Sequence, residues 1–175
     1  MNTAGEWFAN FTACRDSNER IILTIFTHLG KPKSYLDIGC GDAWMVRAAR
    51  MLGCKPSIGV EISDACQKLS KKWARVLIGD ISKPLVLRNN FDLVTCINVL
   101  DILDADSCPC AANNLVKYAD RWIVISTNNP VKWKSLVCEQ GMLYEDELTD
   151  AVRSTLCSCI DADIANRLMV FQVPK

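Results

Sequence analysis

The sequence has a single histidine, no net charge and no long apolar run. One imidazole, His28, leaves no second histidine for a Ser–His–Asp relay and excludes histidine-rich metal sites. Its place in the last turn of a predicted helix suits the helix dipole better than chemistry. Twenty basic side chains stand against twenty acidic ones, so no overall field recruits nucleic acid or an anionic membrane, although a local patch can still serve RNA. No stretch approaches the ~18–20 apolar residues that span a bilayer, and residues 1–10 are polar and aromatic rather than a secretion leader. A soluble cytoplasmic protein without a membrane partner is expected. Internal repeats, low-complexity tracts and interdomain linkers are also missing, so 175 residues, half of them hydrophobic, read as one domain.

Cysteine, by contrast, is plentiful at ten residues, six of them scattered singly as small buried thiols would be. Cys108-Pro109-Cys110 and Cys157-Ser158-Cys159 offer four sulfurs for zinc if the fold unites them. Zinc sites more often use a two-residue spacer, and no metal is expected.

The chain is organised around Ser34-Tyr35-Leu36-Asp37-Ile38-Gly39-Cys40-Gly41-Asp42-Ala43-Trp44-Met45. A short apolar run ends in an acid and two glycines, and helical spacing follows. A buried strand that stops at Gly-x-Gly and turns into a helix leaves the first helical N–H groups uncovered, and glycine lets a ligand approach the backbone. Two cofactors use such a turn, a dinucleotide and S-adenosylmethionine (SAM). The dinucleotide fingerprint needs a third glycine where this chain has Trp44, and Asp37 would set a carboxylate beside a pyrophosphate. The same carboxylate suits the ammonium group of a methionine moiety.

Before this turn, a helix is predicted from Asp16 or Ser17 to Leu29, with Ile21, Ile22, Ile25 and Phe26 at helical spacing. Residues 1–33 are expected to form an N-terminal extension and 34–175 the core. Trp7, Phe8 and Phe11 would make residues 1–14 either a stapled flap or a lid. After the turn, a strand at Ser57–Val60 closes on Glu61, where an acid can accept both hydroxyls of a ribose. Arg75–Ile78 is a third strand, ending at Gly79-Asp80-Ile81. The fourth opens at Phe91-Asp92-Leu93-Val94 and gives way to Asn98-Val99-Leu100-Asp101-Ile102-Leu103, and the fifth covers Arg121–Ser126. Leu156–Ile160 and Arg167–Val173 read as an antiparallel hairpin around a polar turn.

With Asp37-Ile38-Gly39-Cys40-Gly41-Asp42-Ala43, then Glu61, Asp80-Ile81 and the Phe91-to-Asp101 segment in order, the chain resembles the class I SAM-dependent methyltransferases. The resemblance covers about residues 34–173. It implies an α/β fold: a doubly wound, mostly parallel seven-stranded sheet with helices on both faces and a C-terminal antiparallel hairpin. It implies SAM as cofactor and S-adenosylhomocysteine as product, held by Asp37, Gly39, Cys40, Gly41, Glu61, Ile62, Asp80, Ile81 and Asn98. Asp80 would receive the adenine amino group, with Ile81 against the ring. Asn98 is expected near the methyl group and is a catalytic candidate together with Asp101. Many members that act on small molecules carry a Glu-His pair where this chain has Asp101-Ile102, which removes a ready proton acceptor.

RNA, a cap structure included, or another large substrate is the expected methyl acceptor, ahead of a small molecule. Only the extension and a few loops remain to enclose anything small. Lys132-Trp133-Lys134 can contact phosphate and base, or anchor a loop through its tryptophan. The lysine–acid tetrad of ribose 2'-O-methyltransferases is only loosely imitated by Lys31, Asp92 or Asp101, Lys132 and Glu145. Two other classes stand beside this reading: a SAM-binding subunit or sensor that activates a protein partner without turnover, and a nicotinamide oxidoreductase, which Trp44 disfavours.

Overall fold

A helix whose apolar residues recur every three or four positions begins the described residues. In α1 (Arg15–Leu29), Ile21, Ile22, Ile25 and Leu29 form one buried stripe, and Asp16 lies in the first turn where the dipole favours an acid. The computed structural model describes residues 15–160 and 162–174, so the expected lid over residues 1–14 lies outside them. After α1 come β1 (Tyr35–Ile38), α2 (Trp44–Met51), β2 (Ser57–Glu61), α3 (Asp64–Ser70), β3 (Arg75–Ile78) and β4 (Phe91–Cys96). The second half contains α4 (Cys108–Lys117), β5 (Ala119–Ser126), α5 (Pro130–Cys138), β6 (Leu143–Tyr144), α6 (Asp146–Cys157), α7 (Ala162–Asn166) and β7 (Leu168–Gln172).

The strands form one seven-stranded sheet in the order β3-β2-β1-β4-β5-β7-β6. The first five are parallel, and β7 runs antiparallel to both β5 and β6. This is the doubly wound sheet that the sequence implies. Strand order reverses between β1 and β4, and ligands of such sheets bind outside the carboxyl ends at that switch point. Side chains alternate across the sheet. Leu36 and Ile38 join the layer under α4 and α5, whereas Tyr35 joins α1, α2 and α6 on the other face. The described part of the N-terminal extension is thus a full member of the core.

The antiparallel pair is present, but its outer strand is not Leu156–Ile160. Helix α6 runs through Cys157, and Val152 and Leu156, one turn apart, are both fully buried. That apolar spacing is the inner stripe of a helix. The outer partner of β7 is the two-residue β6, paired as Leu143 with Gln172 and Tyr144 with Phe171. Helix α7 occupies the expected turn. Lys132, Trp133 and Lys134 also lie on a helix, α5, rather than in a loop. Trp133 is 1% exposed and belongs to the core, while Lys134 pairs with Asp146 and lies over the Tyr144 ring. The two Cys-x-Cys pairs belong to α4 and the end of α6, on opposite faces of the sheet, so they cannot share a metal. Among the described residues no helix is long and apolar enough to cross a membrane.

One irregular stretch, residues 79–90, carries the predicted Asp80 and Ile81 and has no regular structure of its own. It is held from α4. The buried Asn114 amide donates to the Ile81 and Lys83 carbonyls, each at 2.8 Å, and its oxygen accepts the Leu85 N–H at 3.0 Å. Tyr118 donates to the Leu85 carbonyl at 2.6 Å and accepts the Leu87 N–H at 3.0 Å. Asn114→Leu keeps the branched shape but strands one N–H and two carbonyls. It should destabilise the chain by about 1–3 kcal/mol in urea unfolding and speed proteolytic cleavage within residues 79–90.

Candidate functional site

At the carboxyl ends of β1, β2, β3 and β4 lies a cavity of about 450 Å³, within the range of small-ligand sites. Eight of the ten residues singled out from sequence line it: Asp37, Gly39, Cys40, Glu61, Ile62, Asp80, Ile81 and Asn98. Gly41 and Asp101 do not.

The glycine turn departs from expectation in one respect. Its N–H groups are not left open. Gly39 and Cys40 both donate to the Val60 carbonyl, Gly41 donates to Glu61 Oε2 at 2.9 Å, and Ala43 donates to the Cys40 carbonyl. Trp44 N–H is taken by Asp42 Oδ1 at 3.3 Å. An arriving pyrophosphate would find these five donors committed, which weighs against a dinucleotide as Trp44 does. The requirement for glycine is nevertheless strict. Gly39 has φ +77°, and a Cβ there would lie 2.2 Å from a Val99 methyl group. Beneath the turn, Cys40 Sγ fills a space that exists because residue 59 is glycine, since a Cβ there would lie 2.4 Å from that sulfur.

Three acids are buried at this corner. Glu61 Oε2 accepts the Gly41 N–H and Oε1 the Ser63 N–H at 3.0 Å. Asp42 pairs with Arg15 at 3.4 Å. Among the described residues Asp37 has only the Thr95 hydroxyl, which donates to Oδ1 at 2.7 Å. Thr95 spends its single proton on that bond, so the Tyr35 hydroxyl, 2.6 Å away, donates to Thr95. Both residues are fully buried. Burial above all, opposed by the Thr95 bond and reinforced by the charges of Glu61 and Asp42, lifts the Asp37 carboxyl from an ordinary 3.8 to about 7.

Asp80 is better supplied. Its Oδ1 accepts the Ser82 N–H at 2.9 Å and hydroxyl at 2.6 Å, and Oδ2 lies 3.3 Å from Lys83, which together hold it below the ordinary range. Ile81 is buried beside it, and Ile62 across the cavity is 65% exposed. Asn98 adopts φ 59°, fixed by Ser126: its N–H donates to the Ser126 hydroxyl at 2.7 Å, which returns its proton to Asn98 Oδ1 at 3.2 Å. Asp101 is turned to other work. Its carboxylate accepts the Thr127 hydroxyl and both the backbone and side-chain N–H groups of Asn128, clasping the loop after β5. Asp92, a candidate for the loose tetrad, begins β4 at the opposite end of the sheet and binds Lys33 N–H. His28 bonds Thr155 at 2.9 Å, tying α1 to α6.

Sequence reasoning missed Thr95, Tyr35, Ser126 and the apolar wall of Met45, Ile97, Val99, Ile102 and Leu103. Tyr35 was legible, being two residues before Asp37 on the same face of β1. Thr95 was not, because it meets Asp37 only through the β1–β4 register.

A family model described as a methyltransferase domain matches residues 10–168. Among curated proteins, the small RNA 2'-O-methyltransferases of Mus musculus and Rattus norvegicus are 29% and 28% identical over 120 residues, covering 57% of this chain. The chain spans 30% of the length of those two relatives. Among solved structures, a TehB-like SAM-dependent methyltransferase from Corynebacterium glutamicum aligns with TM-score 0.74 at 18% identity, over 98% of this chain and 96% of that one. The magnesium protoporphyrin IX methyltransferase of Synechocystis, solved with bound SAM, gives 0.70 at 12% identity, over 91% and 79%. These two share the fold.

The Asp37 environment sets a pH signature. A carboxyl lifted on folding binds its proton more tightly in the folded state, so stability falls as pH rises from about 3.8 to about 7 and then levels. Asp37→Asn removes that term. In urea unfolding it should gain on the wild type by roughly 4 kcal/mol between pH 4 and pH 8, the gap between about 7 and 3.8 at ~1.36 kcal/mol each. An equal difference at both pH values would refute the assignment.

Proposed function

This chain belongs to the methyltransferase-domain family, and we propose from that premise that it is a SAM-dependent methyltransferase whose methyl acceptor is RNA. The observation that carries the cofactor reading is the set of carboxylates ending β1, β2 and β3 around one cavity: Asp37, Glu61 and Asp80. Asp37, short of donors, takes the ammonium group of the methionine moiety. Each Glu61 oxygen accepts one backbone N–H and keeps a lone pair for a ribose hydroxyl. Asp80 Oδ2 receives the adenine amino group, with Ile81 and Ile62 flanking the ring. Gly39 and Cys40 form the floor, and Gly41 serves by aiming its N–H at Glu61.

When bound, SAM supplies a methyl group already made electrophilic by its sulfonium. The chain's own part is to hold an acceptor in line and keep water out. Asn98, locked by Ser126, stands at the end of the cavity among Ile97, Val99, Ile102 and Leu103, an apolar setting suited to both tasks. Alignment of this kind can supply ~7–11 kcal/mol of a barrier. Asp101 contributes by fixing the loops around Asn98 rather than as a base. The RNA acceptor is supported by the likeness to the two small RNA 2'-O-methyltransferases and by described residues that devote no large insertion to enclosing a small molecule.

The test is calorimetric titration with SAM, S-adenosylhomocysteine and NAD, followed by transfer of labelled methyl to RNA or to small-molecule extract. Binding of the adenosyl pair alone supports the cofactor, and label in the small-molecule fraction alone overturns the acceptor. Transfer that requires added cell protein would assign an activating partner. Asp80→Ala should weaken SAM binding about tenfold or more, the value of one hydrogen bond to a charged group. Since the ammonium group needs Asp37 ionised, SAM affinity should fall about tenfold per pH unit below 7 and become flat with pH in Asp37→Asn.

A further inference from the structure

Zero net charge conceals a strong segregation. Residues 31–75 hold nine lysines and arginines against four acids, and three of those acids, Asp37, Asp42 and Glu61, are buried at the cavity corner. Of the segment's own acids, only Asp64 lies at the surface. The segment builds α2, α3 and the β2–β3 side of the sheet, so the excess charge is gathered there while the remainder of the chain is correspondingly acidic. Among the described residues, none of the nine is in an ion pair.

Near the cavity one of these cations, Arg47, is held in place. The Trp44 and Trp73 rings meet edge to face at 6.1 Å, which brings the start of α2 against the segment that follows α3. Both indoles are anchored, Trp44 Nε1 to Glu19 and Trp73 Nε1 to the Asp42 carbonyl. The Arg47 guanidinium lies 4.2 Å over the Trp44 ring and has no acid partner among the described residues, so its N–H edge is stacked in position and available. Lys71 and Lys72 directly precede Trp73 and are exposed, as is Lys68 one turn earlier. At the other end of β2, Arg50, Lys55 and Arg75 line a second hollow of about 450 Å³. Glu61 ends β2 at the first cavity and Ser57 begins it at the second, four residue rises of ~3.3 Å apart. The cations therefore form a short linear track leading away from the cavity. A track suits a chain of phosphates.

We propose that the surface of α2, α3 and β3, from Arg47 past Lys68, Lys71 and Lys72 to the hollow of Arg50, Lys55 and Arg75, binds the phosphate backbone of single-stranded RNA. The inference rests on the RNA reading above and deepens it by assigning the route the strand takes. Contacts along it are electrostatic and independent of sequence, so binding must weaken with salt, by a slope of about 0.7 per phosphate engaged.

The experiment titrates the full chain with a short labelled single-stranded RNA of mixed sequence across a range of salt. The Lys68→Ala, Lys71→Ala, Lys72→Ala triple variant should bind about tenfold more weakly and reduce the salt slope by about 2. A control carrying Lys117→Ala and Lys132→Ala, on the opposite side of the sheet, should bind as the wild type does. Unchanged SAM affinity in all three proteins shows that each is folded. Equal RNA binding by wild type and triple variant overturns the surface, as does capture of the chain by phosphatidylserine vesicles with no binding of RNA. RNA held through this surface but never methylated overturns the acceptor reading and leaves the surface standing.

Discussion

Three carboxylates buried in one corner govern the shape of this chain. Asp37, Asp42 and Glu61 are taken out of water at the ends of β1 and β2, and a buried carboxylate must find donors or take up a proton. Glu61 is met by two backbone N–H groups, and the turn of Gly39, Cys40 and Gly41 takes its path in order to aim one of them. Asp42 is met by Arg15, which ties the start of α1 to the turn. Asp37 is left with a single hydroxyl among the described residues. Local structure, helix docking and the unmet electrostatic demand of the cavity thus share one cause.

The turn is also where distant parts of the sequence come closest. Gly39 admits Val99 from beyond β4, and Gly59 admits Cys40 from beyond β1. Each glycine lets a side chain from another strand end sit against backbone, so the cavity floor is compact. A bulkier residue at either position would separate β1 from its neighbour at the very level where Asp37 and Glu61 must converge.

Much of this was legible in the amino-acid sequence. Strands β1 to β5 are short apolar runs ending in acids or polar turns, and parallel strands buried on both faces declare themselves that way. The acids at their ends were legible for the same reason, since a charge closing a buried run has few structural uses. The C-terminal third was harder. Leu156 to Ile160 has apolar residues that fit a strand or the end of a helix, and a two-residue strand such as β6 has no periodicity to detect. Trp133 between two lysines imitates a binding loop, yet its helical register turns the indole into the core. Thr95 and Asn114 act across the sheet or from a neighbouring helix, through contacts that only the assembled fold defines.

The Asp101 clasp carries a further consequence. Because its carboxylate binds Thr127 and Asn128, the loops after β4 and β5 move as one body, and Ser126 couples Asn98 to the same unit. That wall of the cavity, which the proposed function turns toward the acceptor, is then ordered before anything arrives. Its conformational entropy was surrendered during folding, so whatever docks against it need immobilise only itself.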